Sequence, residues 1–320
     1  MGKKAFRIIF VVLLLGAVGA FCWTHHKSWL ARYYAGRLAK SDEGEAAQLA
    51  ERLAGLGDAA VPPLLDLLRQ EAPACKNSGL ALARIVDSGS DAQCQLCAQG
   101  LHENFSEFSV AGRQVALEAV ENLLARSAEC QGPCRETVLA ALNDEAPAVR
   151  QQAIALAMAP EIYSADKVVP LLHDGDASVR RAALLAVGPA RDVIADDDLL
   201  PCLHDSDADV RRLGEATLLG RGLRPQDIRL GRLITAPEFL KRLEILNYLG
   251  SDDELDPQAW LERLSTDDVP AVRAAAVRAA FDTDVKANFD FTARAQQMAR
   301  NDPDGTVRQI AAEVLRQRGR

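Results

Sequence analysis

The sequence predicts an all-α fold: an α-solenoid of about nine helix pairs, preceded by a hydrophobic N-terminal helix. Three observations lead there. First, Arg150, Arg180, Arg211, Arg242, Arg273 and Arg308 follow one another at steps of 30, 31 or 35 residues. Second, an aspartate stands six residues before the arginine at Asp144, Asp174, Asp205, Asp267 and Asp302, with Ala236 the exception. Third, 48% of the side chains are apolar but only 5% aromatic, so the interior is built from Ala, Leu and Val, which suits closely packed helices. Self-similarity at about thirty residues marks a stack of helical units, none of which buries its apolar face alone.

The N-terminal element comes first. Residues 1–40 hold seven Lys and Arg and no Asp or Glu, whereas the remaining 280 hold 30 basic against 45 acidic side chains, a net charge of −15. A short basic stretch, 1–7, leads into the uncharged run Ile8 to Trp23 within segment 8–24. Sixteen helical residues span about 24 Å, slightly less than the ~30 Å hydrocarbon core of a bilayer. Val18 and Ala20 offer a cleavage site before Phe21, as in a signal peptide. Trp23, Trp29, Tyr33 and Tyr34 follow directly and form an interfacial aromatic belt, which favours a retained single-pass anchor. Phe21 fills the position where a lipid-attachment motif needs a small residue, so Cys22 reads as a thiol within the anchor. Residues 25–42 then form a basic, aromatic juxtamembrane helix. Basic side chains flank the run on both sides. The short N-terminal end is expected inside and the body outside the cytoplasm, in the periplasm if the cell is bacterial.

The repeat body occupies 43–320. Each repeat reads as helix, turn, helix: a short apolar stretch such as VVPLLHD or LLPCLHD, then an amphipathic run such as SVRRAALLAVG opened by the arginine. Val149, Val179, Val210, Val272 and Val307 precede the arginine, with Lys241 the exception. Gly188-Pro189, Gly220 and Gly250 close the second helix. Upstream, EAPACK at Glu71 to Lys76 mirrors EAPAVR at Glu145 to Arg150 and DVPAVR at Asp268 to Arg273. DAAVPPLLDLL, Asp58 to Leu68, is a first helix with prolines in its opening turn. Arg113 marks the phase between Lys76 and Arg150, and steps of 37 residues there predict insertions.

The turn D-x-D-x-x-V-R-x-x-A, Asp174 to Ala183 and, less closely, Asp205 to Gly214, resembles HEAT repeats. Its nearest form is the short, armadillo-like HEAT repeat of phycobilisome-lyase-type proteins, over residues 43 to 320. The resemblance implies a right-handed solenoid in which the turn aspartates and second-helix arginines hydrogen-bond along the stack.

His173-Asp174 and His204-Asp205 look like metal-ligating pairs of phosphohydrolases, yet Asn143, Thr266 and Asn301 occupy the histidine position elsewhere while the aspartate persists. The aspartate therefore serves the repeat. The arginine column reads as a structural ladder of carboxylates and guanidiniums, with an anion-binding surface as the alternative. Four cysteines stand apart: Cys94 and Cys97 in CQLC, and Cys130 and Cys134 in CQGPC, fall in consecutive first helices at nearly the same phase. They could form disulfides outside the cytoplasm, bind structural zinc, or stay as buried thiols. Cys75, at the valine position of its turn, and Cys202, on an apolar helix, read as core.

No Gly-rich phosphate loop or nucleophile elbow is present, and Asn104-Phe105-Ser106 is a glycosylation sequon by letters alone. The expectation is a membrane-anchored scaffold that binds protein partners, without catalytic activity, cofactor, metal or small-molecule substrate. The resemblance also implies a chromophore-lyase-like enzyme or lyase accessory protein as an alternative. A HEAT-like nucleic-acid binder is a third class, against which the acidic body argues. That acidity suits a basic partner or plain solubility.

Overall fold

A computed structural model describes residues 25–249, 257–281 and 291–318. Segments 1–7 and 8–24, the basic start and the anchor, lie outside the described residues. Among the described residues no helix is long and apolar enough to cross a membrane. The secondary structure they form is helical throughout, and the chain divides into two compact units, Met1–Val187 and Gly188–Arg320.

The N-terminal unit opens with helix α1, residues 25–38, and continues through α2 (Glu43–Ala54), α3 (Val61–Leu68), α4 (Ala74–Ser88), α5 (Asp91–Asn104) and α6 (Val110–Arg126). It ends with α7 (Gln131–Ala141), α8 (Pro147–Ala157), α9 (Ala165–Val168) and α10 (Ala177–Val187). Two layers result. In one, α2, α4, α6, α8 and α10 pack each on the next; in the other, α3 packs on α5 and α5 on α7. This is helix-pair stacking, and it places one apolar stripe of every helix at the layer boundary. Leu64, Leu68, Leu82, Leu101, Leu117, Leu123, Ile154 and Leu184 are fully buried there. Each such side chain contributes about 1.5–3 kcal/mol by leaving water.

Caps explain where the helices start. Ser90 opens α5 with a capping box, its hydroxyl accepting from the Gln93 amide while Gln93 accepts from the Ser90 amide. Ser109 caps α6 by accepting from the Gly112 amide. The 37-residue steps are absorbed by lengthened helices: α4, α5 and α6 run for 15, 14 and 17 residues, against 11 in α8, α10 and the later α17 (Pro270–Ala280). The extra residues are therefore mostly helical turns.

The C-terminal unit contains α11 (Asp196–Leu199), α12 (Ala208–Gly220), α13 (Pro225–Ile234), α14 (Phe239–Leu243), α15 (Leu246–Leu249), α16 (Pro257–Leu264), α17, α18 (Thr292–Asn301) and α19 (Gly305–Arg318). Helix α14 packs on α17 and α17 on α19, around a core that includes Ile245, Leu261, Leu264, Val272, Ala276 and Phe291.

The stretches VVPLLHD and LLPCLHD depart from the helix that their sequence predicts. Each is one α-turn, α9 or α11, that tightens into a 3-10 helix, Val169–His173 or Leu200–His204. Pro170 and Pro201 sit at the start of those tightened segments. Lacking an N–H, a proline cannot continue the α-helical bond pattern, and a short 3-10 segment is the low-cost continuation.

One contact fixes the seam between α3 and α6. The Ser109 amide donates to the Leu68 carbonyl at 3.0 Å and its hydroxyl to the Gln70 carbonyl at 2.8 Å, and a Cβ added to Gly112 would stand 1.8 Å from the Leu68 oxygen. Gly36, in α1, meets nothing within 4 Å. Alanine at both positions gains helix propensity of up to about 1 kcal/mol, but only one of them has room. Gly112→Ala is expected to lower stability by about 2 kcal/mol or more through forced backbone displacement, and Gly36→Ala to leave it unchanged or slightly higher. Denaturant unfolding of the full chain in detergent, followed by circular dichroism, checks both signs.

Candidate functional site

The repeated arginine performs one task six times over. Its Nη1 reaches back to the two carbonyls that open its own turn: Arg150 to Asp144 O and Glu145 O at 2.7 and 3.0 Å, and Arg180 to Asp174 O and Gly175 O at 2.8 and 3.2 Å. Arg211 does the same to Asp205 O and Ser206 O at 2.6 and 3.0 Å, and Arg242 to Ala236 O and Pro237 O at 2.7 and 3.1 Å. Arg273 and Arg308 repeat the geometry on Asp267 O with Asp268 O and on Asp302 O with Pro303 O. These carbonyls end the first helix and have no helical acceptor role left, so a fixed cation satisfies them.

The turn aspartate works locally in the same manner. Asp144, Asp174, Asp205, Asp267 and Asp302 each accept from the backbone amide two residues on, at 2.8 or 2.9 Å. This is an Asx turn that sets the chain for the second helix.

The remaining edge of the guanidinium links successive repeats. Arg150 donates from Nε and Nη2 to Asp174 at 2.8 and 2.6 Å, and Arg273 to Asp302 at 2.9 and 2.8 Å, both bidentate. Arg113 lies 2.8 Å from Asp144 and Arg242 2.7 Å from Asp267 through Nε. In those two the Nε–H is poorly aligned on the carboxylate, so the Nε contact is ionic; Arg242 adds an Nη2 bond to Asp267 at 3.0 Å. The partners are nearly dry, at 5 to 9% side-chain exposure for Arg113, Arg242, Arg273 and their aspartates. Where such a pair is present it binds one repeat to the next in a geometry that a shifted register would break.

Carboxyl acidity reports the same contacts. The Arg273 hydrogen bonds hold Asp302 below the usual carboxylate range. For Asp174 burial is the largest influence and pushes upward, but bonds from Arg150 and the Asp176 amide outweigh it and the net shift is downward.

The two histidines have separate local surroundings. His204 Nε2 lies 2.7 Å from the Arg232 carbonyl and so carries its proton there, tying the 3-10 segment before Asp205 to α13. His173 is exposed beside an aspartate that Arg150 and the Asp176 amide already occupy.

No protein-family model matches the chain, and no curated protein matches it. Among solved structures it is similar to a designed armadillo repeat protein at 19% identity and a TM-score of 0.32, over 59% of this chain and 98% of that one. The chain is a helical-repeat protein on the strength of its own helix order and ladder. Neither depends on that likeness.

The four cysteines of the two motifs do come together. Cys94 and Cys97 lie on α5, Cys130 ends the 3-10 turn Ala128–Cys130, and Cys134 lies on α7, which packs on α5. All four are at most 1% exposed and are free thiols, as are the buried Cys75 and Cys202. Among the described residues no group of three or more His, Cys, Asp or Glu is arranged to hold a metal. Burial pushes the Cys97 and Cys134 thiols up to about 12, and raises those of Cys94 and Cys130 too. Cys97 also feels Cys94 and Cys130, so thiolate formation at one opposes it at the others. Such thiols are inert packing groups at neutral pH.

Two predictions follow from this geometry. Arg273→Ala, which strands Asp302, is expected to cost about 3–5 kcal/mol at neutral pH, the range for breaking a buried pair from one side. Because the folded Asp302 pKa is depressed, the pair's contribution is present above the unfolded value near 4 and is lost as pH falls below it. The variant should therefore show a shallower loss of stability than the parent between about pH 4 and pH 2, measured by thermal unfolding across that range. For the cysteines, a maleimide added at pH 7.5 should leave Cys94, Cys97, Cys130 and Cys134 unmodified in the folded chain. The same reagent in denaturant without reductant should label all four, and labelling that requires reductant would reveal disulfides.

Proposed function

We propose that this chain is a membrane-anchored HEAT-type scaffold, a right-handed stack of about nine helix pairs that binds protein partners and catalyses nothing itself. The observation that carries this reading is the use made of its repeated polar side chains. Arg150, Arg242 and Arg273, with the aspartates they meet, hold turns and neighbouring repeats together. What is left for recognition is the outer surface of stacked helices.

That surface includes large apolar side chains left in water: Leu185 on α10, 63% exposed, and Leu240 on α14, 65% exposed. A partner that covers these side chains removes their apolar surface from water, which favours association. On α1, Trp29 and Tyr33 are 53% and 59% exposed, and they follow the apolar run 8–24 directly. An amphipathic aromatic helix at that place suits the headgroup layer of a bilayer, with the repeat body held just beyond it. The net charge of −15 over residues 41–320 supports a partner other than nucleic acid, and the reading places the body outside the cytoplasm.

Membrane attachment and topology are tested together. The full chain with a C-terminal tag should stay with membranes through alkaline carbonate extraction, and protease added outside the membrane that carries it should remove the tag. Release by carbonate would overturn the anchor, and a protected tag would overturn the topology. For the scaffold itself, in-cell cross-linking should give a discrete adduct that Leu185→Glu or Leu240→Glu removes without lowering the amount of chain. An adduct insensitive to both would place binding elsewhere.

A further inference from the structure

The ladder has one missing rung inside the C-terminal unit. Arg211 clamps its own turn like the others, but the aspartate position of the following turn is Ala236. The turn is otherwise built normally: Ala236 is 2% exposed and its carbonyl accepts from Arg242 Nη1 at 2.7 Å. Only the carboxylate is gone. At this turn Glu238 accepts from its own backbone amide, which holds its carboxyl below the usual range. Among the described residues no carboxylate reaches the second edge of Arg211, the edge that Arg150 and Arg273 use for bidentate pairing.

Arg211 lines a surface cleft of about 400 Å³ with Leu203, Ala208, Arg212, Glu215 and Arg232. The cleft therefore holds three guanidiniums and one carboxylate. Arg212 is paired with Asp209 and Arg232 with Glu215, each at 2.9 Å, and both pairs are largely exposed. Exposed pairs of this kind are worth less than about 1 kcal/mol and rearrange readily. An anion entering the cleft meets a guanidinium already held in place by two carbonyls, and two more that swing on exposed side chains.

We infer that Arg211, with Arg212 and Arg232, binds a carboxylate supplied from outside the chain, in place of the aspartate absent at position 236. The preference for a carboxylate rests on geometry. The equivalent edges of Arg150 and Arg273 accept a planar two-oxygen group at 2.6 to 2.9 Å, a fit that the guanidinium fork shares with carboxylates. The source is either a free small carboxylate or an acidic side chain of a partner protein. The second source rests on the scaffold reading, and the first does not.

The test titrates the full chain in detergent with succinate, with a hexaglutamate peptide and with inorganic phosphate, following heat of binding and thermal midpoint. Ala236→Asp restores the rung from within; the slot accepts it, since Asp144, Asp267 and Asp302 occupy equivalent positions at 5 to 8% exposure. Carboxylate binding to the parent should fall at least tenfold in Ala236→Asp, whose midpoint without ligand should rise. Arg211→Gln should lose binding to a similar extent with no such rise, and it decides the matter if Ala236→Asp does not fold. Binding of succinate but not peptide supports the site and withdraws it from the scaffold's partner surface. Binding of peptide alone, lost in both variants, assigns the carboxylate to a partner. The inference is overturned if neither probe binds, if Ala236→Asp and Arg211→Gln bind as the parent does, or if phosphate binds and carboxylates do not. None of those failures touches the scaffold reading, which the cross-linking experiment tests by itself.

Discussion

Everything regular in this protein depends on a guanidinium with two hydrogen-bonding edges. One edge closes the turn to which the arginine belongs, and the other grasps the aspartate of the turn that follows. Lysine could not do both, because a single ammonium lacks the rigid fork that faces two directions at once. The arrangement also explains the preference for burial at 5 to 9% exposure in rungs such as Arg273–Asp302. A charge pair in that setting adds little net stability over an apolar substitute but is costly to leave half-made. Its contribution is to registry: a helix pair that slipped along its neighbour would bury an unpaired charge. The apolar stripes of α4, α6, α8 and α10 supply most of the free energy, and the rungs select which stacking is allowed.

The spacing of Asp and Arg was legible from the sequence because the polar framework repeats while the surface does not. A period of about thirty residues could be followed through Asp174, Arg180, Asp205 and Arg211 without knowing any contact. The direction of the bonds was less legible. Six residues separate the aspartate from the arginine of the same repeat; the arginine takes that aspartate's backbone carbonyl, and the carboxylate goes to the preceding repeat's arginine. Nothing in a single repeat encodes that crossover, since it exists only once two repeats are stacked.

Other differences have equally local causes. Pro170 and Pro201 were visible in VVPLLHD and LLPCLHD, yet apolar periodicity over seven residues does not separate an α-helix from one α-turn followed by a 3-10 turn. The 37-residue steps were visible as surplus length, but whether surplus becomes loop or helix depends on caps such as Ser90 and Ser109, and here it became mostly helix. The cysteine pairs fall on adjacent first helices or the turn that opens one, because equal phase in neighbouring repeats means equal position in the stack. Their oxidation state does not follow from phase. Burial bears on their acidity instead, pushing the Cys97 and Cys134 thiols up to about 12.

The two columns of the ladder also differ in how much each tolerates change, and the geometry gives the reason. From position 150 onward every repeat has its arginine, and every one of those six arginines clamps its own turn, including Arg242 above the substituted Ala236 and Arg308 in the last repeat. The aspartate column has a gap. An arginine lost from the column would leave two carbonyls of its own turn and one carboxylate of the next without partners, a local and a distant cost together. An aspartate lost, as at Ala236, leaves only one edge of one guanidinium open, and that edge borders a cleft where solvent or a ligand reaches it. The turn's own geometry survives, because its carbonyls remain held by Arg242 and its second helix still begins at Phe239. The position at which the ladder can be broken at least structural cost is therefore also the position at which a guanidinium becomes available for recognition.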